Sequence, residues 1–320
     1  MPDTADRPLV SVVVPALNEE RNLPYVFGRL PDDLHEVILV DGGSTDRTVQ
    51  VATELRPDLV VVQQTRTGKG NALACGFARC TGDIVVMIDA DGSTDPAEIP
   101  RFVAALTGGA DMAKGTRFHD GGGSHDITRL RQLGNAGLNT IVNVLFGTRF
   151  SDLCYGYNAF WRRELHRFEL PDHHLPGPAD GSKLWGDGFE IETLLNVRAA
   201  AVGLTIAEVG SVEGARLHGV SNLNAPRDGM RVLRTILVEF RRKRRRPGLL
   251  GAEARPAVRP SVPRPRPHPT GVVARHPVPG AAPAWPAHAA PRLPGQRRPA
   301  HDAATVPPAA DEDSDKAFAT

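Results

Sequence analysis

The sequence is poor in cysteine and in aromatic residues, and each scarcity argues against a class of protein. Its 320 residues include three cysteines, Cys75, Cys80 and Cys154, and no C-x-x-C pair. This number and spacing predict reduced thiols rather than a disulfide framework or a thiolate zinc site. Aromatic residues make up 5% of the chain and the formal net charge is +1. Nucleic acid is therefore not an expected partner, because the chain offers neither a stacking platform nor an overall positive field.

Long apolar runs are also missing. No window approaches about 18 consecutive apolar residues, so no transmembrane helix is expected. The first ten residues, MPDTADRPLV, contain aspartates and no apolar core of the kind that a signal peptide needs. The protein is therefore predicted to work in the cytoplasm, or peripherally on the inner face of the cell membrane.

Proline is plentiful, and it is concentrated at one end of the chain. More than half of the 28 prolines follow residue 246, mixed with alanine, arginine, glycine and histidine. Such a composition buries too little apolar surface to offset the entropy lost on ordering. We predict one folded domain over residues 1–246 and a disordered tail rich in proline, arginine and alanine over 247–320.

Within the predicted domain, β-branched apolar runs alternate with segments of helical spacing. This alternation predicts an α/β fold whose mostly parallel sheet is covered by helices on both faces. In the first half, 9–110, the predicted strands are LVSVVVPA (9–16), EVILVD (36–41), DLVVVQQ (58–64) and DIVVMIDA (83–90), with helices over 18–30, 44–55 and 69–80. The second half, 111–246, is less regular; predicted strands are ADMAKGTRF, 152–161 and 204–210, with helices at 127–146, 188–203 and 230–246.

Two aspartates, Asp89 and Asp91, follow the fourth apolar run and are the first candidates for a metal site. If the chain is still extended there, Ala90 points away and the carboxylates of Asp89 and Asp91 face the same way. Like charges this close repel unless a cation lies between them, and such oxygen ligands suit Mg²⁺ or Mn²⁺. The alternative is a polar turn in which Asp95 caps the next helix.

Acidic residues also follow the first two predicted strands, where ligands of parallel sheets bind. Asp41 can accept a hydrogen bond from a base or a ribose hydroxyl, and Glu19 follows the neighbouring strand. Ser44 and Asp46 have a sufficient structural explanation as helix caps. Lys69, in RTGKGNALACG, can neutralise a diphosphate or lie solvated. That segment lacks the glycine patterns of phosphate loops and dinucleotide sites, which argues against an NTPase or a nicotinamide dehydrogenase.

Four motifs in this order, VVVPALNEE, VDGGSTDRT, GKGNALACG and IDADGSTDP, resemble the nucleotide-sugar half of family 2 glycosyltransferases. The nearest branch is similar to the dolichyl- and polyprenyl-phosphate mannosyl- and glucosyltransferases. The resemblance extends over roughly residues 9–240. It implies a GT-A fold, a UDP- or GDP-linked sugar donor, a Mg²⁺ or Mn²⁺ cofactor and inversion at the anomeric carbon. One departure is Gly42, where many members have a second aspartate.

The resemblance implies roles for individual positions on the donor side. The residues expected to contact the nucleotide sugar are Pro15, Glu19, Asp41, Lys69, Asp89 and Arg216. The expected metal ligands are Asp89, Asp91 and His218. A lone histidine in a loop can equally be a surface residue, so His218 has two interpretations.

An acceptor side is implied as well. KGTRFHDGGG and RLRQLGNAGLN resemble the acceptor loop of polyprenyl-phosphate transferases, where arginine side chains bind phosphate. The expected acceptor contacts are Arg117, Arg131, Asp152 and Tyr157. Arg129 and Arg131 can alternatively lie on a solvated helix face.

The segment WGDGFEIETLL places carboxylates at the start of a predicted helix, and one of them is a candidate base. Glu190 is predicted to deprotonate an acceptor hydroxyl, with Asp187 as the second candidate. Arg117 completes the predicted catalytic set. If the acceptor is already a phosphate monoester, no base is needed, and acids at a helix start also stabilise the helix dipole.

The last predicted helix ends in RRKRRR, which suits peripheral contact of residues 230–246 with an anionic membrane or, alternatively, a basic linker. The sequence therefore favours an inverting hexosyltransferase that uses a polyprenyl phosphate. A soluble enzyme acting on a hydroxyl, with Glu190 as base, is the first alternative. A non-catalytic nucleotide-sugar-binding adaptor is the second. A processive polysaccharide synthase is disfavoured, because the chain has no Q-x-x-R-W motif.

Overall fold

The computed structural model describes residues 7–119, 121–125, 127–219 and 225–245, and the predicted tail lies outside these ranges. Its frame is a seven-stranded sheet in the order β3-β2-β1-β4-β7-β5-β8, and β6 pairs separately with β9. The strands are β1 Val10–Ala16, β2 Glu36–Asp41, β3 Val60–Gln63, β4 Ile84–Met87, β5 Met112–Thr116, β6 Gly123–Ser124, β7 Asn158–Trp161, β8 Ile206–Gly210 and β9 Val212–Glu213.

Helices cover both faces of this sheet, as the continuous apolar strands predict. They are α1 Leu23–Phe27, α2 Thr48–Leu55, α3 Lys69–Arg79, α4 Ile99–Thr107, α5 Arg129–Phe146, α6 Ile191–Ala201 and α7 Ala225–Arg245, with short 3-10 helices at Pro96–Glu98 and Arg162–Phe168. Along β1, Val12 and Val14 face the cluster formed with α1, α2 and α4, whereas Val13 faces the cluster formed with α3 and α6. Only β7 of the seven strands runs antiparallel to its neighbours. The predicted α/β architecture is confirmed.

The strand predicted over 152–161 is shorter than expected, because asparagines of two helices bind the backbone near its predicted start. Leu153 N–H donates to Asn139 Oδ1 of α5 at 2.8 Å, and the Leu153 carbonyl accepts from Asn196 Nδ2 of α6 at 3.2 Å. These backbone groups therefore bond to side chains of helices rather than to a neighbouring strand. The chain joins the sheet at Asn158.

The last helix, α7, is held on α6 by a buried ion pair. Two nitrogens of Arg198 each lie 3.0 Å from a carboxylate oxygen of Glu239, and Trp185 Nε1 donates to the same carboxylate at 2.9 Å. Burial raises the pKa of Glu239, but its bonds with Arg198 outweigh that effect and hold the pKa below its usual value. No helix in the described part of the chain is long and apolar enough to cross a membrane.

Replacing Glu239 by glutamine is expected to lower the free energy of unfolding by about 3 kcal/mol, because Arg198 keeps its charge in a buried place. Urea unfolding at neutral pH measures the change. The difference from wild type should shrink in acid, since a depressed carboxyl pKa contributes stability that is lost as the pH falls through it. Glu54→Gln, on the exposed side of α2, is the matched control and should change stability by less than about 0.5 kcal/mol. Equal effects of the two substitutions would contradict this view of α7.

Candidate active site

Three neighbouring strands bring the predicted donor-side carboxylates to one edge of the sheet. β1 lies between β2 and β4, and Ala16 at its end is paired with Asp41. Carboxylates that lie at or just beyond these strand ends are those of Glu19, Asp41, Asp89 and Asp91. Pro15, the second-last residue of β1, is partly buried next to this edge. The structure thus groups the predicted donor contacts at the carboxyl end of a parallel sheet, where ligands of such folds bind.

Asp41 is buried, and its carboxylate organises the turn that follows β2. It accepts hydrogen bonds from the backbone N–H groups of Gly43 and Ser44 at 3.2 and 3.1 Å, and from Gln63 Nε2 at 2.9 Å. Burial raises its pKa, but these donors outweigh burial and hold the pKa below the usual value. Asp41 is therefore an ionised acceptor at neutral pH, and part of its acceptor capacity is already used by the turn.

The loop after β1 is tied to the loop after β2, and this explains why the predicted helix 18–30 shortens to α1. Asn18 has a φ of 57°, in the left-handed region that asparagine tolerates better than most residues. Its side-chain oxygen accepts from the N–H of Thr45 at 2.8 Å, and its own N–H donates to Ser44 Oγ at 3.0 Å. Glu19 N–H donates to Thr48 Oγ1 at 2.7 Å. The positive φ of Asn18 takes this residue out of the helical conformation, and the bonds to the second loop hold it there.

Arg216 bridges two of the site carboxylates. Its Nη2 lies 2.8 Å from Asp91 Oδ2, and its Nη1 lies 3.4 Å from Glu19 Oε1. Burial raises the pKa of Glu19, and the carboxylates of Asp91 and Asp89 push it in the same direction, against the opposing effect of Asn22 and Arg216. The remaining oxygen of Asp91 accepts from the N–H and hydroxyl of Ser93, at 2.9 and 2.7 Å.

Lys69 makes the corresponding bridge on the other side of the site. Its Nζ lies 2.6 Å from Asp89 Oδ1 and 2.5 Å from Glu192 Oε1. Burial lowers the pKa of Lys69, but the two carboxylates more than offset it and hold the pKa well above its usual value. Gly156 makes room for this arrangement, because a Cβ there would approach Glu192 Oε1 to 2.4 Å.

The donor set fits a divalent cation. Two lysine or arginine cations, Lys69 and Arg216, face four carboxylates, those of Glu19, Asp89, Asp91 and Glu192. The excess of negative charge and the hard oxygen donors match what Mg²⁺ and Mn²⁺ prefer. Asp89 keeps 31% of its side chain exposed, so it remains accessible to an incoming ligand.

His218 lies on the same segment as Arg216, and its backbone belongs to the site. Its carbonyl accepts from Asn22 Nδ2 at 3.2 Å, and Asn22 also donates to Glu19 at 2.5 Å. Its imidazole lies 6.1 Å from the ring of Tyr25. Its role as a third metal ligand stays a prediction.

The glycines on either side of Lys69 pack closely against the loop that contains Asp187, and their surroundings are not those of a phosphate-binding loop. Asp187 carbonyl accepts from the N–H groups of Gly70 and Asn71 at the start of α3, at 2.8 and 3.2 Å. A Cβ at Gly68 would lie 2.1 Å from that carbonyl oxygen, which explains the small residue there. The amides that a phosphate loop would offer are therefore already bonded, in agreement with the prediction that this is not such a loop.

The structure gives both predicted base candidates internal partners. Asp187 and Arg66 form a buried two-pronged ion pair, with N···O distances of 2.7 and 2.9 Å. Glu190 Oε1 accepts from the N–H groups of Gly186 and Gly188 at 3.0 and 3.1 Å. Both carboxylates thus shape the loop before α6, and their catalytic roles stay predictions.

Arg117 is buried among acidic partners. Its guanidinium binds Asp152 through two nitrogens, at 2.7 and 2.9 Å, and Glu213 through a third, at 3.0 Å. Burial lowers the pKa of Arg117, but the two carboxylates outweigh it, and the pKa lies above its usual value. Asn135 of α5 donates to Asp152 at 3.1 Å. The predicted acceptor contacts Arg117 and Asp152 are therefore brought together, but as partners of each other.

The other two predicted acceptor contacts, Tyr157 and Arg131, make different contacts from Arg117 and Asp152. Tyr157 is fully buried, stacks on Phe102 at 4.1 Å between ring centroids, and donates its hydroxyl to the carbonyl of Asp95 at 3.2 Å. Arg131 is partly buried in the first turn of α5, and its N–H donates to the cap residue Thr128 at 3.3 Å. Tyr157 thus acts in the core here, and an acceptor contact by either residue stays a prediction.

Sequence reasoning did not single out Glu192 as a site residue. Glu190 and Glu192 lie on either side of Ile191, and no local signal in the sequence distinguishes them. The distinction is tertiary: Glu192, in the first turn of α6, reaches Lys69 at the start of α3. Arg66 was missed for the same reason, since its partner Asp187 is 121 residues away.

Comparisons with known proteins identify relatives of this chain. The model of the family described as glycosyl transferase family 2 matches residues 11–168. Over 223 residues the chain is 32% identical to the polyprenol monophosphomannose synthase of Mycolicibacterium smegmatis, covering 67% of this chain and 80% of the relative. It is 30% identical to the glycosyltransferase AglJ of Haloferax volcanii, covering 69% and 68% of the two chains.

Solved structures extend the comparison to ligands. The glucosyl-3-phosphoglycerate synthase of Mycobacterium tuberculosis, in complex with Mn²⁺, UDP and glucosyl-3-phosphoglycerate, superposes with a TM-score of 0.54 at 28% identity, covering 72% of this chain and 79% of that one. The same enzyme has been solved with Mg²⁺ and UDP, at a TM-score of 0.53. These neighbours share the fold of the described domain.

Proposed function

Because the chain belongs to glycosyltransferase family 2, we propose that it transfers a hexose from a UDP- or GDP-linked sugar to a polyprenyl phosphate, with inversion at the anomeric carbon. It is a glycosyltransferase with a GT-A-like sheet, as the sequence motifs predicted. The proposal further specifies a polyprenyl phosphate as the acceptor. The similarity to a polyprenol monophosphomannose synthase over most of that enzyme's length supports it.

The proposed binding of the donor sugar rests on the ion pairs of Lys69 and Arg216 with the site carboxylates. Asp89 and Asp91 would hold Mg²⁺ or Mn²⁺, which when bound stabilises the negative charge that grows on the leaving nucleoside diphosphate. Lys69 and Arg216 lie beside these aspartates and add fixed positive charge for the same diphosphate. Asp41, at the adjacent strand end, is ionised and suits a contact with the base or ribose. UDP and Mn²⁺ in the solved relative support this assignment.

The acceptor proposal is carried by one observation, that the carboxylates before and at the start of α6 already have partners. Asp187 is bound to Arg66, Glu190 to two backbone amides and Glu192 to Lys69. A hydroxyl acceptor needs a base to remove its proton. A phosphate acceptor is already anionic at neutral pH, so its oxygen attacks the anomeric carbon directly. The bond from that carbon to the diphosphate breaks, and the nucleoside diphosphate leaves with the electron pair.

Glu190→Gln is expected to leave transfer to a polyprenyl phosphate within about threefold of wild type, because glutamine Oε1 still accepts the two amides of the loop. If the acceptor is instead a hydroxyl and Glu190 is its base, the same change should lower kcat by about 10² to 10⁴-fold. Steady-state rates with each acceptor separate the two cases. A loss of that size with the phosphate acceptor would contradict the proposed role of the loop.

A second candidate has specific support. The solved relatives hold phosphoglyceric acid or glucosyl-3-phosphoglycerate, so a small phosphorylated acid is the chief alternative acceptor. One screen distinguishes the two: UDP- and GDP-sugars, with Mg²⁺ or Mn²⁺, are incubated with a short polyprenyl phosphate, with phosphoglyceric acid or with neither. Products are identified by mass. A sugar–polyprenyl phosphate product supports the proposal, whereas product formed only with phosphoglyceric acid overturns its acceptor.

A lipid-linked acceptor requires the protein to reach a membrane, and we propose peripheral contact at the inner face through α7. Basic side chains fill its last turn, and anionic headgroups attract such clusters by about 1 kcal/mol per charge. The described part of this segment ends at Arg245. The folded domain over 1–246 and the disordered tail over 247–320 stay proposals that the described residues do not test.

A further inference from the structure

The turn that follows the 3-10 helix Arg162–Phe168 carries a group of metal-ligating side chains outside the candidate active site. Asp172, His173 and His174 each offer one ligand atom, and these atoms all lie within 4.8 Å of one another. The active site offers carboxylates, whereas this group adds two imidazoles, which suit Zn²⁺, Cu²⁺ and Ni²⁺ rather than Mg²⁺. The two groups therefore favour different classes of ion.

The two histidines are neighbours in sequence, yet their rings lie side by side. In an extended chain, consecutive side chains point to opposite sides. Here the ring centroids of His173 and His174 are 3.9 Å apart, because the backbone turns at this point. Leu175 N–H donates to the carbonyl of Asp172 at 3.1 Å, and His174 N–H donates to Asp172 Oδ1 at 2.9 Å. The turn thus gathers side chains that an extended chain would separate.

The backbone of this turn is fixed from the interior of the protein. Arg66 Nη1 donates to three of its carbonyls at 2.7 to 3.3 Å, those of Asp172, His173 and Leu175. Thr65 Oγ1 donates to the carbonyl of His173 at 2.5 Å. These bonds hold backbone oxygens, and the side chain of Asp172 is still 61% exposed and that of His173 26% exposed. The ligands therefore stand on a rigid base and can be reached by an ion.

The spacing of the ligand atoms suits one tetrahedral ion. With bonds of about 2.0–2.2 Å, the ligands of Zn²⁺ lie about 3.3–3.6 Å apart. His173 Nδ1 and Asp172 Oδ1 are 3.7 Å apart, and rotation of exposed side chains closes the remaining gaps. Two imidazoles and one carboxylate leave the fourth position to water. A cleft of about 260 Å³, lined in part by Asp172 and His173, has room for that water.

We propose that Asp172, His173 and His174 form a structural site for a divalent transition-metal ion of the Zn²⁺ class, and that the ion pins the turn 172–175. The site goes beyond the proposed function, because none of its ligands belongs to the donor or acceptor contacts.

Arg66 connects this turn to the donor side of the active site. Its other nitrogens form the buried ion pair with Asp187, at 2.7 and 2.9 Å. The carbonyl of Asp187 accepts from the N–H groups of Gly70 and Asn71, which directly follow Lys69 at the start of α3. An ion that pins the turn therefore also restrains, through Arg66, the segment that carries Lys69.

Calorimetric titration of Zn²⁺ into the untagged full chain tests the site. The parent protein carries Asp89→Asn/Asp91→Asn, which removes the competing carboxylate ligands. Adding His173→Gln/His174→Gln should raise the Kd for Zn²⁺ at least tenfold, because loss of a mere partner of a ligand already costs about 10- to 100-fold.

Two further variants of the parent complete this test. His35→Gln/His125→Gln, at two exposed histidines elsewhere in the domain, is the matched control and should bind Zn²⁺ like the parent. Asp172→Asn keeps an oxygen that accepts from His174 N–H, so the turn should persist while binding weakens. The four histidines after residue 246 are the same in every protein, so any Zn²⁺ they bind cancels in the comparison.

Amide hydrogen exchange measures the connection to α3. Zn²⁺ should slow exchange at Gly70 and Asn71 in the parent and in the control, and should leave it unchanged in the His173→Gln/His174→Gln variant. This difference is expected because only an ion on the turn 172–175 restrains Arg66 and, through it, Asp187.

Two results would overturn the proposal. One is a Zn²⁺ affinity of the His173→Gln/His174→Gln variant equal to that of the parent, which would place the bound ion on other residues. The other is exchange at Gly70 and Asn71 that Zn²⁺ leaves unchanged in the parent, which would mean that the ion does not restrain α3. Neither measurement uses a sugar donor or an acceptor, so failure here leaves the proposed function untouched.

Discussion

The substitutions Asp89→Asn and Asp91→Asn are each expected to lower kcat about 10³-fold, measured with Mg²⁺ or Mn²⁺ and saturating donor. Each substitution removes one negative charge from a site where four carboxylates face two cations. It therefore weakens the site's hold on a divalent cation and its stabilisation of the leaving diphosphate. Asparagine at 91 can still accept from Ser93, so the turn itself should persist.

The control for these variants is Asp58→Asn, whose aspartate is 68% exposed beside Arg56. It should leave kcat unchanged. Thermal unfolding of all three variants separates lost chemistry from lost fold, and melting temperatures close to wild type are expected because Asp89 is partly exposed. Full activity of Asp89→Asn would contradict the assignment of this edge as the donor site.

Lys69→Met is expected to lower kcat/KM by about 10² to 10³-fold, the range typical for loss of one group that stabilises developing charge. Lys69 is the shared cation of Asp89 and Glu192, and without it the two carboxylates repel each other across the site. The leaving diphosphate also loses a fixed positive charge. Both effects act on the donor half of the site, so the loss should appear with every acceptor.

Arg79→Met is the matched control for this second prediction. Arg79 is an exposed cation at the last residue of α3, at the opposite end of the helix from Lys69. Its replacement should leave kcat/KM within about twofold. Steady-state kinetics of the two variants measure the difference, and similar values for both would show that Lys69 only pairs with Asp89 and Glu192 and does not act on the leaving diphosphate.

Some of this site followed from local pattern. Continuous β-branched runs with intervening helices indicated a parallel sheet, and the sheet then placed Asp41 and Asp89 at one edge. The pairing of charges did not follow, because it depends on contacts between distant segments. Arg117 looked like a phosphate ligand, yet its carboxylate partners are 35 and 96 residues away, at Asp152 and Glu213. Buried ion pairs of this range leave no periodic signal in the sequence.

The shortened elements have the same origin. The helix predicted over 18–30 looked regular by spacing, but Asn18 has a φ of 57° and is bonded to the loop after β2, so α1 begins only at Leu23. The strand predicted over 152–161 begins only at Asn158, because Asn139 of α5 and Asn196 of α6 bind the N–H and carbonyl of Leu153. In both places contacts with segments distant in sequence fix the backbone, and local propensity does not indicate such contacts.

Calorimetric titration of UDP- and GDP-sugars into the protein, with and without Mn²⁺, tests the central claim most directly. We expect the wild-type chain to bind one of these donors, with an affinity that rises on adding Mn²⁺, and the Asp89→Asn/Asp91→Asn variant to lose that rise. Binding of no such donor under either condition, or the same metal-enhanced affinity in the double variant, would contradict the account.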